Sequence, residues 1–192
     1  MELRQRRARI ERKTREVDIV VEIDLDRAGY SVETPSVFLT HLLETMAHHG
    51  GLELRVRASG NMAHHVVEDT GRALGEALDR ALTDRAGIRR FGHAVIPMDD
   101  ALVLVAVDLV KRPYSVVKLE LRGYTIEGLE GTLVEHFLET LALWGRFTLH
   151  VVKLSGRDPH HVAEAAFKGL GIALREASRL VGESVSSVKG EM

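Results

Sequence analysis

The run "AHHVVEDTGRALGEAL" (Ala63–Leu78) has a close twin farther along the chain, "PHHVAEAAFKGLGIAL" (Pro159–Leu174). Each puts two adjacent histidines one turn ahead of a glutamate, at the head of a Leu/Ala-rich stretch with helical periodicity. Working outward, "THLLETMAHHGGLELRV" (Thr40–Val56) aligns with "EHFLETLALWGRFTLHV" (Glu135–Val151) without a gap. His41 falls on His136, Leu43-Glu44-Thr45 on Leu138-Glu139-Thr140, and Gly50 on Gly145. With one extra residue in the second copy, His64, His65 and Glu68 fall on His160, His161 and Glu164. The chain is an internal duplication, so one fold plan must serve twice.

That plan mixes strands and helices. Alternation over Arg15–Leu25 predicts a strand, turned at "DRAG" into a shorter partner, Tyr30–Thr34. An apolar stripe through Phe38, Leu42, Leu43 and Met46 predicts a helix closed by Gly50-Gly51. "LELRVRA" reads as the next strand and His64–Leu82 as a long helix. In the second half, strands fall near Ala94, over Ala101–Asp108 and over Val116–Leu121. A helix over Leu129–Trp144, a strand over Phe147–Leu154 and a helix over His160–Leu180 complete it. The expectation is an α+β protein, internally duplicated into two-layer sheet/helix units. The halves are 1–87 and 88–181, with a C-terminal tail over 182–192.

Composition narrows the function. A chain of 192 residues with 45% hydrophobic and 28% charged residues and a formal net charge of -2 reads as an ordinary globular protein. No apolar run approaches the roughly 20 residues of a membrane span, and the start lacks the apolar core of a signal peptide. A cytoplasmic protein with no membrane partner is expected. The arginine-rich start reads as a solvated lead-in rather than a nucleic-acid arm, because no aromatic residues are interleaved with it. Cysteine is absent, which leaves any metal to histidine and carboxylate. A single Asn (Asn61) and a single Gln (Gln5) amid abundant charge suggest a thermophilic source.

On a helix, His64 and Glu68 share a face, whereas His65 is rotated from His64 by roughly 100°. One His-His-x-x-Glu unit therefore offers an imidazole and a carboxylate to one ion and a second imidazole to another. With His41 and His136 added, spacing predicts two sets of four: His64, Glu68, His136 and His161, and His160, Glu164, His41 and His65. Such donors suit Mn, Fe, Co, Ni or Zn. A lone histidine pair at a helix start is more often a cap or surface polarity; its repetition, with a matching preceding histidine, is what favours ligands. Whether one chain or several complete each set is open at this level.

The order of "HHVVEDTGRALGEAL", "GIRRFG", "PMDDAL", "VDLVKRP", "TLHV" and "HHVAEAAFK" resembles imidazoleglycerol-phosphate dehydratases, over nearly the whole chain. The resemblance implies the fold of the second domain of ribosomal protein S5. It also implies dehydration of D-erythro-imidazole-glycerol phosphate to imidazole-acetol phosphate, with two Mn2+ ions per site, in a homo-oligomer of 24 subunits. The eight ligands above match the family's metal ligands. Glu16 matches a glutamate beside the substrate, and His49 matches a histidine after the first helix. Glu16 and Glu164 are both candidates for the base. Arg90, Arg112, Lys168, Ser187 and Lys189 match the phosphate-binding set, although Arg90 and Arg112 taken alone could be surface ion pairs.

Several positions depart from the family pattern. Thr40 stands where the family has Asp, Thr45 where it has Gln, "VKRP" replaces "SGRP", and the loop "ASGNMAHH" is shortened. A non-catalytic metal-binding descendant is the alternative these departures leave open.

Overall fold

The computed structural model describes residues 5–182 and 184. The first half contributes β1 (Arg7–Lys13), β2 (Val17–Asp24), β3 (Gly29–Glu33), α1 (Val37–Gly50), β4 (Glu53–Gly60) and α2 (Ala63–Leu82). The second contributes β5 (Phe91–Met98), β6 (Ala101–Asp108), β7 (Tyr114–Lys118), a ribbon of β8 (Thr125–Ile126) and β9 (Leu129–Glu130), α3 (Gly131–Trp144), β10 (Thr148–Ser155) and α4 (Pro159–Ser178). The sheets are β1-β2-β4-β3 and β5-β6-β10-β7, the same order under the duplication. Their burial alternates along β2 and β6, as one-sided sheets require. Among the described residues no helix is long and apolar enough to cross a membrane.

Two sequence expectations change. The arginine-rich lead-in is not loose: Arg7–Lys13 is a strand, paired antiparallel with β2 from Arg7 opposite Asp24 to Lys13 opposite Asp18. Arg7, Arg9, Glu11 and Lys13 sit on the outward face while Ile10 enters the core and Arg12, on the inner face, reaches Asp69 of α2 at 2.7 Å, so the basic composition hid an alternating pattern. Arg6 is itself buried, held by Asp26 at 2.7 Å and by the Ser178 carbonyl. Nor does the strand after "DRAG" fold back on β2. Both edges of β2 are taken by β1 and β4, so β3 joins the far side of β4, in parallel. The other shifts are small: α3 starts at Gly131 because β9 occupies Leu129–Glu130, and α4 stops at Ser178.

All four helices lie between the two sheets. α2 covers β1 and β2, α4 covers β5 and β6, and the remaining large contacts cross between halves: α1 packs on α4, and α2 on α3. Glycines set both crossings. Gly50, the last residue of α1, faces Gly171 of α4; its counterpart Gly145, just past α3, faces Gly75 of α2. A Cβ on Gly75 would lie 2.7 Å from the Gly145 nitrogen and 2.8 Å from the Leu141 oxygen, and one on Gly171 would overlap the Met46 carbonyl. Buried Arg85 ties the same α2–α3 corner together, donating to Asp79 (2.5 Å) and to the carbonyls of Gly145 (2.7 Å) and Arg146 (2.8 Å).

Alanine ordinarily stabilises a helix interior by up to about 1 kcal/mol over glycine. At Gly75 the obstructing atoms are backbone and cannot swing aside, so overpacking prevails. Gly75→Ala should lower stability by about 1–3 kcal/mol, read by denaturant unfolding of the metal-free protein. An unchanged or raised midpoint would show that the helices have room to part.

Candidate metal centre

The crossings bring histidines of one half to the His-x-x-x-Glu face of the other. His64 and Glu68 lie four apart at the start of α2, and His136 approaches from α3. Glu68 has His64 Nε2 at 3.4 Å and His136 Nε2 at 3.9 Å. The duplicate cluster uses α4 and α1: Glu164 has His41 Nε2 at 3.2 Å and His160 Nε2 at 3.3 Å. Within each triad the ligand atoms all lie within 4.8 Å of one another, close enough to share one ion. His136 Nε2 is buried without a hydrogen-bond partner, which is costly for a polar atom unless something else occupies its lone pair. Imidazole nitrogens with one carboxylate oxygen are a fitting donor set for a divalent transition metal.

His65 and His161 do not join these triads in the chain. Each turns to a local partner through Nδ1: His65 donates to Asn61 Oδ1 (3.0 Å), and His161 to Asp100 Oδ1 (2.8 Å). The sequence partition into fours is therefore assembled as threes, with the fourth histidine of each facing elsewhere. Asp100 also accepts from the Arg157 and Asp158 backbone N–H groups, and Asp158 caps α4 by accepting from His160 N at 2.8 Å. The Arg157 N–H first, then His161 and the Asp158 N–H, hold the Asp100 carboxyl well below the usual range. Asn61 as a partner of His65 was missed from sequence, although its place one turn before His65 was a signal.

The chain has close relatives. The family model described as imidazoleglycerol-phosphate dehydratase matches residues 34–174. The chain belongs to the imidazoleglycerol-phosphate dehydratase family. The dehydratase of Desulforudis audaxviator (strain MP104C) is 47% identical over 190 residues, covering 96% of this chain and 97% of its own. That of Methanothermobacter thermautotrophicus is 44% identical over 191 residues, covering 97% and 98%. The crystal structure of IGPD from Pyrococcus furiosus in complex with (S)-C348 matches with a TM-score of 0.85 at 42% identity, over 95% of this chain and 100% of that one. Membership makes the chain a hydro-lyase of histidine biosynthesis.

The other residues that the family resemblance singles out fall into separate groups. Lys168, one turn beyond Glu164, donates to its Oε1 at 3.0 Å and touches Met98 Sδ at 3.4 Å. His49, near the end of α1, is pushed down from the ordinary imidazole range by burial and then by His48 and Lys168. Glu16, in the β1–β2 turn, is exposed, with Oε2 3.7 Å from His65 Nδ1. Arg90 lies at the opposite end of α4, its backbone N–H bonded to the Ala177 carbonyl. At 1.5 Å per residue that is roughly 25 Å from His160. Its guanidinium is gripped by Asp108 at 2.7 and 3.0 Å, and Arg112 joins the same end of the sheet through Thr148. Within one chain, Arg90 and the histidine clusters do not meet. Ser187 and Lys189 lie outside the described residues, as does most of the 182–192 tail.

Glu164 shows which force wins inside a triad. Burial pushes its carboxyl up, but Lys168 and His41 together outweigh burial and hold it below the ordinary range. A depressed carboxyl stabilises the fold above its unfolded value, near ~4.3, and that contribution fades as pH falls through the lowered folded value. In metal-free Lys168→Met, burial should dominate, and the Glu164 titration followed by carboxyl NMR should move upward. A titration that stays put would leave Lys168 with no electrostatic hold on Glu164.

Proposed function

We propose that the chain catalyses the dehydration of D-erythro-imidazole-glycerol phosphate to imidazole-acetol phosphate as a cytoplasmic enzyme holding two divalent ions, Mn2+ by preference, per site. The paired triads, His64/Glu68/His136 and His41/His160/Glu164, carry this reading. His161 and His65 complete them as fourth ligands. When bound, the two ions supply Lewis acidity and a template matched to a ring with two nitrogens.

The chain's own groups divide the remaining work. The proton to be removed sits on the carbon attached to the imidazole ring, and the hydroxyl to be lost sits on the next carbon. Loss of both gives an enol that becomes the ketone, a net loss of one water. Of the two candidate bases, Glu164 is committed to His41, His160 and Lys168, whereas Glu16 is exposed and lies at the His65 end of the site. That favours Glu16 as the proton acceptor. His49, kept neutral by burial, is available to exchange a proton as the ketone forms. Arg90, Arg112, Lys168, Ser187 and Lys189 form the cationic and hydroxyl clamp on the phosphate, as charge-assisted partners of a dianion.

Neighbouring copies are needed for these parts to converge, which supports a large homo-oligomer, a 24-mer by family likeness. His65 and His161 face away from the triads of their own chain, and Arg90 is a helix length from them. The outer sheet faces support self-association. On the first sheet a cross-strand row reads Glu11–Val20–Arg57; the matching row on the second reads Val95–Leu104–Val152, with Val95 half exposed. An uncovered apolar sheet face favours a protein partner.

Chelator-stripped protein should form no imidazole-acetol phosphate and should recover with added Mn2+. No product with any divalent ion would sink the proposal. His64→Ala should lose activity by at least about 100-fold, as expected when a ligand to a catalytic ion is removed. It should also lose the large assembly on size-exclusion chromatography. Activity lost with assembly intact would confine the ions to catalysis.

A further inference from the structure

The two triads are near copies, but the groups that set their strength differ. His161 is oriented through Nδ1 by a carboxylate, Asp100, at 2.8 Å, and that carboxylate is itself pinned by the Arg157 and Asp158 N–H groups. His65 is oriented through the same atom by a neutral amide, Asn61, at 3.0 Å. Glu16 Oε2, at 3.7 Å, is beyond hydrogen-bond reach, so the amide is the acceptor. Both contacts fix the Nδ1–H tautomer and leave the Nε2 lone pair to ligate, with exposed Asp99 Oδ2 3.4 Å from His161 Nε2. Only the carboxylate also makes its imidazole a better donor, and partners of this kind are typically worth about 10–100-fold in metal affinity.

A second difference is independent of the first. Glu164 shares its oxygens with the Lys168 ammonium at 3.0 Å, a cation an incoming ion must compete with. The residue in the same place after Glu68 is Arg72, which turns away, bonding Glu76 at 2.9 Å and stacking 3.6 Å over Trp144. Glu68 thus keeps its charge for its own triad.

We infer that the two ions are held unequally: the ion ligated by His161 binds more tightly than the ion ligated by His65, with Asp100 and Asn61 as the positioning residues that set the difference. The inference rests on the proposed two-metal site. On the partition read from the sequence, both asymmetries fall on the same side. His161 goes with the unencumbered Glu68 triad, making that ion the resident one. His65 goes with the Lys168-engaged Glu164 triad, making that ion the exchangeable one.

The test is a binding isotherm, not an activity assay. Stripped full-length protein is titrated with Mn2+, and free Mn2+ is followed by its EPR signal. The wild type should bind two ions per chain in two classes separated by about 10–100-fold. Asn61→Asp should tighten the weak class and narrow the gap, whereas Asp100→Asn should weaken the tight class by a similar factor. Asn61→Ala, which removes the acceptor with little added bulk, should weaken the weak class further and guards against misfolding of the aspartate variant. Two ions bound with equal affinity would overturn the inequality while leaving the two-metal site standing. Folded Asn61→Asp and Asp100→Asn proteins with unchanged isotherms would also overturn it. No bound Mn2+ at all would overturn both the inequality and the site.

Discussion

Backbone contact between helices of opposite halves is the constraint on which the rest of the molecule depends. Gly50 meets Gly171 and Gly145 meets Gly75, with no side chain between the crossing helices. Only at that separation can His41 of α1 reach Glu164 of α4, and His136 of α3 reach Glu68 of α2. Each triad therefore takes one histidine from one half and an i,i+4 His–Glu pair from the other. A single half would hold two donors of one triad and one of the other, and complete neither. The duplication is the condition for a site, not a decoration on it.

Packing at the crossings also decides the electrostatics. α4 is buried on several sides by α1, β5 and β6, so Glu164 is nearly enclosed, while its twin Glu68 is about half exposed. An enclosed carboxylate must be matched by positive charge or by a metal, and the chain places Lys168 there as well as two histidines. At the more open Glu68, water screens the charge and the equivalent Arg72 is free to stack on Trp144. Two sites of common origin have thus been driven apart by burial.

Much of this was legible in the sequence, for physical reasons. A duplicated His-His-x-x-Glu at a helix start fixes which donors share a face, because helical rotation depends on nothing outside the helix. The sheet and helix identities followed from periods of two and of about 3.6. Long-range choices were not legible. β3 pairs with β4 rather than β2 because β1 had already claimed an edge, and β1 itself was masked by arginines that face outward. Nor could spacing show that His65 and His161 turn from the triads, since those orientations depend on Asn61 in a loop and on Asp100 from a different hairpin.

Where the two halves agree and where they differ follows their surroundings. The faces turned toward the helices keep matched apolar residues, since any change of volume there is felt by both halves at once. The faces turned outward have no such partner within the chain, and they diverged: Glu11–Val20–Arg57 on one sheet, Val95–Leu104–Val152 on the other. The ligand positions are the exception that clarifies the rule. All but Glu164 are partly exposed, and packing alone would have let those drift as freely as the outer faces. Matching histidines and glutamates in both copies therefore reflect a demand from outside the packed core, and a shared divalent ion, as proposed, would impose that demand on all three residues of a triad together.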